Sequence, residues 1–271
     1  MRQLFQILVG FAAVASMAGA QESGAQTFTV PLSSPGSPAI LEADLLEGTI
    51  KIIGYEGDEV LIEVTFQQDS DEHEGREEHE GLTRISSSSG EMTIEENDNR
   101  VTIDTGWSHQ EIYLEVRVPV QTSLRIEGTN GDLIEAHGVS GQHELSHTNG
   151  DIKATGLRGS VIADSTNGDI TVELLEVTPD TPMSFTTFNG DVDLRLPSGF
   201  GAELRMQTGQ GDIYTDFDVV TRPIQPRVER EEAGSGFRVR MEREVQATMG
   251  AGGAELRFKT VNGDIYLRKV E

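Results

Sequence analysis

The tripeptide Asn-Gly-Asp occurs five times, at Asn130-Gly131-Asp132, Asn149-Gly150-Asp151, Asn167-Gly168-Asp169, Asn189-Gly190-Asp191 and Asn262-Gly263-Asp264, with Gln210-Gly211-Asp212 as a variant. Successive spacings are 19, 18, 22, 21 and 52 residues. A recurring period of this size marks a stack of similar supersecondary units. Five of the six turns follow an alternating stretch, such as Ser123-Leu124-Arg125-Ile126-Glu127, Ala202-Glu203-Leu204-Arg205-Met206 or Ala254-Glu255-Leu256-Arg257-Phe258. Each turn is followed by another, such as Ile170-Thr171-Val172-Glu173-Leu174 or Val192-Asp193-Leu194-Arg195-Leu196. Strict alternation sends successive side chains to opposite faces and reads as half-buried strand. Asn-Gly supplies the positive φ of a tight turn. A second turn follows at Gly138 and Gly141, at Gly156 and Gly159, and at Pro197, Gly199 and Gly201. One unit is therefore strand, Asn-Gly-Asp turn, strand, glycine turn.

Two architectures use that unit. Asn-Gly closes β-hairpins, which would give an antiparallel meander or sandwich. Alternatively each unit is one coil of a solenoid whose equivalent strands stack in parallel about 4.8 Å apart. The solenoid predicts columns of like residues, and two are legible: Ile126, Leu145, Ile162, Phe185, Leu204 and Leu256 before the turn, and Leu133, Ile152, Ile170, Val192, Ile213 and Ile265 after it. The expected fold is all-β, a parallel β-solenoid-like stack of two-strand coils of ~20 residues, with the antiparallel meander as the alternative.

Residues 27–271 are expected to form a single β-strand-repeat domain, with irregular strands over 27–120, regular repeats over 121–271, and loop insertions at 69–90 and 222–248. Glu47-Gly48-Thr49-Ile50-Lys51-Ile52 reads as a degenerate turn and strand, and Val60 to Phe66, Met92 to Ile94, Val101 to Ile103 and Ile112 to Val118 as strands. Asp69 to Glu80 is an acidic run expected to be a solvated loop. Arg222 to Thr248 accounts for the long spacing as a lost or embellished coil. Ala251 to Val270 is expected to close the stack, and Arg268-Lys269-Val270-Glu271 to cap its edge so that the protein stays monomeric.

Residues 1–20 have the form of a signal peptide: Arg2, an apolar core from Leu4 to Ala15, and Ala18-Gly19-Ala20 before Gln21. The apolar run is shorter than the roughly 20 residues of a membrane span. An exported, periplasmic or extracellular chain is expected. With 46 acidic residues against 21 basic and a net charge of -25, it would repel a phosphate backbone, so nucleic acid is not an expected partner. There is no cysteine, which excludes a disulfide framework, a thiol nucleophile and Cys-ligated metal.

The series Leu-x-Ile-x-Gly-Thr-Asn-Gly-Asp-Leu from Leu124, Gly-Val-Ser-Gly from Gly138, Ser-x-Thr-Asn-Gly-Asp-Ile from Ser146 and Leu-Arg-Phe-Lys-Thr-Val-Asn-Gly-Asp-Ile from Leu256 resembles the bacterial candidate-adhesin family with β-strand repeats known as DUF4097. The opening Leu-Glu-Gly-Thr-Ile-Lys-Ile-Ile-Gly from Leu46 is similar to the first strand and turn of that family. The resemblance covers most of the chain after Thr27. It implies an exported parallel solenoid and, through the family's name, adhesion. It brings no catalytic residues.

Candidate chemistry is sparse. Stacking in register would align Asp132, Asp151, Asp169, Asp191, Asp212 and Asp264. Such carboxylates either accept hydrogen bonds from turn amides or hold a file of Ca²⁺. The structural reading is favoured, because the Gly-Gly-x-Gly-x-Asp pattern of calcium β-rolls is absent. Gly131, Gly150, Gly168, Gly190, Gly211 and Gly263 are read as conformational requirements. His143 and His147 are four residues apart, about 13 Å on a strand and too far for one ion; His137 lies across a turn from them. His73 and His79 sit within the acidic run, and Ser86-Ser87-Ser88-Ser89-Gly90 reads as a polar linker. No catalytic, cofactor or metal residue is assigned. The expected function is a non-catalytic β-repeat protein of the bacterial cell envelope that binds envelope protein or polysaccharide. A polysaccharide-active enzyme and a divalent-cation-dependent module are the alternatives.

Overall fold

The computed structural model describes residues 25–66, 92–106, 111–222, 228–233, 236–241 and 244–270. Residues 1–20, the insertion at 69–90 and the histidines at 73 and 79 lie outside them. In chain order the strands are β1 (Ala25–Pro31), β2 (Ala39–Tyr55), β3 (Glu59–Phe66), β4 (Thr93–Asn97), β5 (Arg100–Asp104), β6 (Ile112–Pro119), β7 (Thr122–His137), β8 (Ser140–Asn167), β9 (Ile170–Val177) and β10 (Met183–Thr186). They continue as β11 (Val192–Leu196), β12 (Ala202–Gln210), β13 (Ile213–Thr215), β14 (Val219–Arg222), β15 (Val228–Ala233), β16 (Gly236–Met241), β17 (Glu244–Met249), β18 (Glu255–Asn262) and β19 (Ile265–Lys269). The fold is all-β, and the parallel solenoid is borne out over the meander.

Each coil bends at its Asn-Gly-Asp corner, so its two halves enter two walls that share one hydrophobic core. The first wall holds the pre-turn halves of β2, β7 and β8, then β10, β18 and β12, all in parallel. The second holds the post-turn halves of β2, β7 and β8, then β9, β11, β19 and β13. Alternation buries every second residue, as in Val192, Leu194 and Leu196 of β11. Glu47 pairs with Asn130 in register, so the degenerate Glu47-Gly48-Thr49 turn occupies a true slot of the column.

The post-turn column runs Ile50, Ile134, Ile152, Ile170, Val192, Ile265 and Ile213. Ile134, not Leu133, belongs to it, because the register shifts between Asn130 and Leu133 and the first full corner carries one extra residue. In the pre-turn wall Phe185 pairs with Ala163 and Phe258, and Phe258 with Met206. Ile162 is therefore excluded from the core and is 42% exposed; a one-residue slip sends a strand residue to the opposite face. Leu204 and Leu256 pair with each other in the Met183 row, two residues earlier than aligned from sequence. Counting back four from each Asn, or from Gln210, gives the correct inward set: Ile126, Leu145, Ala163, Phe185, Phe258 and Met206.

The last coil does not close the stack. β18 and β19 lie between β10 and β11 on one side and β12 and β13 on the other. After β13 the chain forms β14, the antiparallel β15–β16 hairpin, and β17 running antiparallel to β12. It then crosses the start of β12 and places β18 on the opposite side. The crossing is tight: a Cβ on Gly201 would stand 2.6 Å from the Gly252 carbonyl oxygen. The insertion at 222–248 is this excursion, and the 52-residue spacing measures it rather than a lost coil. Arg268 consequently sits within the stack, 3.6 Å from Asp193, and does not cap an edge. Antiparallel strands end both walls at one end, β3 with β1 and β5 with β4, and the first wall at the other, β17 with β14, where the second wall finishes on the parallel β13.

Candidate functional site

Seven glycines converge at the corner, and close approach dictates their identity. A Cβ on Gly168, whose φ is +157°, would lie 2.1 Å from the Gly150 carbonyl oxygen; on Gly263, at φ +154°, it would lie 2.0 Å from that of Gly190. The same contact orders the column as Gly48, Gly131, Gly150, Gly168, Gly190, Gly263 and Gly211. Any side chain would push two coils apart.

Three hydrogen-bonded files run beside the glycines. Asn149, Asn167, Asn189 and Asn262 each donate Nδ2–H to the Oδ1 of the Asn one slot back, at 2.9, 2.8, 2.7 and 2.6 Å. Thr187, Thr260 and Thr208 donate their hydroxyls to the carbonyls of Gly168, Gly190 and Gly263 at 2.9 to 3.0 Å, and Ser165 reaches Gly150 at 3.4 Å. The carboxylates of Asp151, Asp169, Asp191 and Asp264 accept the backbone N–H of Asp169, Asp191, Asp264 and Asp212, each within 2.7 to 2.8 Å. The carboxylates thus bond to the neighbouring coil rather than to their own turn. Repulsion between like charges one strand apart costs about 1 kcal/mol in water, whereas a hydrogen bond to a charged acceptor contributes about 1.5–3 kcal/mol. The rung wins, so Asp can repeat at strand spacing. Asp132 departs from the file, because the extra corner residue sets Leu133 opposite Asp151.

The aspartates also hold two tyrosines that the sequence reading passed over. Tyr266 donates its hydroxyl to Asp264 at 2.9 Å, and Tyr214 donates to Asp212 at 3.4 Å. Their rings stack at 5.2 Å, and the Arg268 guanidinium lies 4.8 Å from the Tyr266 centroid. The bond to Asp264 pushes the Tyr266 hydroxyl up to about 12. The available signal was the recurrence of Tyr two residues after Asp in adjacent slots.

Among the described residues, His137, His143 and His147 do not converge. His143 and His147 both point into the core, 1% and 2% exposed, while His137 lies outside on the other wall with Nδ1 3.0 Å from Thr155. Burial lowers the His143 imidazole to about 4; its Nε2 faces the Arg158 carbonyl at 3.3 Å and its Nδ1 has no partner. Burial also lowers His147, whose ring lies over Gly128, where a Cβ would stand 2.8 Å away.

On the outside of the first wall a shallow depression of about 710 Å³ is lined by Glu42, Asp44, Asp104, Glu127, Glu144 and Asp164 among others. Arg100 and Arg125 both pair with Glu42. Burial, and then the neighbouring Asp104, raise the Asp44 carboxyl; burial raises that of Asp164. Among the described residues no three His, Asp or Glu side chains converge as metal ligands do. The depression is a negative surface able to attract cationic groups.

A family model for Toastrack DUF4097 matches residues 48–268. The chain belongs to the Toastrack DUF4097 family. Its fold matches that of a candidate cell adhesion protein from Clostridium sporogenes with a TM-score of 0.51 at 11% identity, over 92% of this chain and 100% of that one. Candidate adhesins from Bacteroides fragilis (10% identity, TM-score 0.27, 92% of this chain and 98% of that one) and Parabacteroides merdae (11%, 0.22, 91% and 96%) are further matches. A search of curated proteins returns no match. Family and fold are thereby established for this Toastrack chain, and no helix among its described residues is long and apolar enough to cross a membrane.

Two outcomes follow for the Toastrack corner and core. Asp191→Ala removes the acceptor for the Asp264 amide and should lower stability by about 1–3 kcal/mol, whereas Asp191→Asn keeps an acceptor oxygen, removes a charge and should cost less than half as much. Equal losses in urea denaturation would show that the carboxylate charge, not the rung, matters. For His143 the unfolded imidazole titrates near 6.5 and the folded one near 4. Stability is therefore complete above about pH 6.5 and is lost as pH falls through about 4, by roughly 3 kcal/mol. In His143→Leu the acid-side loss should shrink by that amount; parallel stability–pH curves for variant and parent would contradict it.

Proposed function

We propose that this Toastrack protein is an exported, non-catalytic scaffold of the bacterial cell envelope that binds an envelope protein or polysaccharide through its long repetitive surface, in the manner the word adhesin implies. The observation that supports this reading most is the corner. Its repeated chemistry is spent internally: the Asn, Asp and Thr groups that a catalytic or cation site would present are bonded from coil to coil. What remains for a partner is a rigid surface of outward-facing strand residues. Residues 1–20, with their charged start, apolar core and small-residue end, support export. The absence of cysteine suits a chain whose stability comes from backbone pairing. A cation-dependent module is disfavoured because four of the aligned aspartates already accept amide protons.

Purified chain lacking residues 1–20 should be retained by envelope fractions, with and without EDTA. Protease treatment of the fraction would abolish retention by a protein partner, and glycosidase treatment retention by a polysaccharide. Failure to be retained by any fraction, in either buffer, would overturn the proposal.

A further inference from the structure

Asn-Gly is chemically fragile. The glycine amide nitrogen, unhindered by a side chain, attacks the Asn Cγ and expels ammonia; water then opens the resulting succinimide to Asp or isoaspartate. One water is consumed, one ammonia is released, and no oxidant is required. This chain carries the dipeptide at five exposed corners.

The stack opposes both partners in that reaction. The nucleophiles are engaged: the N–H groups of Gly168, Gly190 and Gly263 donate to the carbonyls of Asn189, Asn262 and Gln210 at 2.9, 2.9 and 3.0 Å. The electrophiles are fixed as well, because the carboxamides are bonded to one another along the column. Attack therefore requires breaking intercoil bonds.

The glycine bonds all point toward the same end of the column, so protection must lapse at the last slot. There, among the described residues, β17 covers β12 only as far as Gln207 and β13 pairs with β19 alone, and none of them beyond Gly211 accepts its N–H. That slot is the one filled by Gln210, whose extra methylene would require a six-membered imide and reacts far more slowly. The next slot inward holds Asn262. Its guard is the corner of the terminal coil, which continues into β13, a strand of three residues with an exposed majority.

We propose that coil stacking suppresses deamidation of the Asn-Gly corners, that Gln210 stands where that protection ends, and that Asn262 is the position at which the native protein deamidates. Conversion of Asn262 to Asp removes the donor to Asn189 Oδ1, now 2.6 Å away, and sets a carboxylate against that oxygen. The coil loosened is the interleaved one that joins β10 and β11 to β12 and β13.

Peptide mapping by mass spectrometry after incubation of the folded chain in mildly alkaline heavy-oxygen water tests this, with a parallel sample in denaturing urea. In the folded sample Asn149, Asn167 and Asn189 should react several-fold more slowly than in urea, and Asn262 should be the fastest of the five. In Gln210→Asn, residue 210 should react several-fold faster than Asn189 of the same folded molecules. Native rates equal to those in urea, another Asn outpacing Asn262, or residue 210 as inert as Asn189 would each overturn the proposal. If Gln210→Asn fails to fold, as judged by circular dichroism, the site-by-site rates of the parent chain still decide.

Discussion

The contact of each corner glycine with the carbonyl oxygen of the glycine beneath it sets the geometry from which the rest of the molecule follows. A Cβ at Gly150, Gly168, Gly190, Gly211 or Gly263 would fall 2.0 to 2.2 Å from that oxygen, so the coils can approach to strand spacing only where no side chain intervenes. That spacing brings successive Asn carboxamides within bonding distance, places each Asp carboxylate against the next coil's amide, and lets Thr hydroxyls reach glycine carbonyls. Four of the 46 acidic side chains are thereby given a structural role as acceptors in one file. The chain has no disulfide to hold its coils, and this corner supplies cross-links of hydrogen bonds in their place.

The interleaved last coil turns a simple stack in chain order into one whose coils are locked out of sequence order. A solenoid built in chain order would end on the most recently added coil, which could fray independently. Here β12 of the terminal coil is straddled by strands that follow it in the chain, with β17 on one side and β18 on the other. Phe258 of that inserted coil stacks on Phe185 at 5.4 Å, and Tyr266 stacks on Tyr214, so both walls are tied across the slot. The glycine-on-glycine crossing at Gly201 and Gly252 is what allows the chain to pass over β12 without parting the walls.

Much of this was legible from the repeat. The spacing of Asn-Gly-Asp and the alternation around it define strand, corner and parallel stacking, and five of the six members aligned after the turn occupy the true column. Register before the turn was obscured where apolar residues are adjacent: Val161, Ile162 and Ala163 offer two parities, and only the distance to Asn167 chooses between them. Leu133 and Ile134 hide the extra corner residue in the same way. The slot of the last coil could not be read, because the stacking signal of a unit is the same whichever neighbours it has. At the corner, the structural role of the aspartates was anticipated, but the acceptor geometry depends on which coil lies above, and the tyrosines depend on two strands distant in sequence becoming neighbours.

Because the chain contains no cysteine, the order of coils can be tested with paired substitutions. Thr186 and Lys259 are direct partners, and Gln207 is the next residue beyond Lys259 in the same row. A disulfide requires Cα atoms within about 7 Å; adjacent slots satisfy that limit at about 4.8 Å, and slots twice as far apart do not. Under mild oxidation Thr186→Cys with Lys259→Cys should cross-link readily within one chain, while Thr186→Cys with Gln207→Cys should remain reduced. Cross-linking of the second pair and not the first would place β12 beside β10 and contradict the interleaved stack.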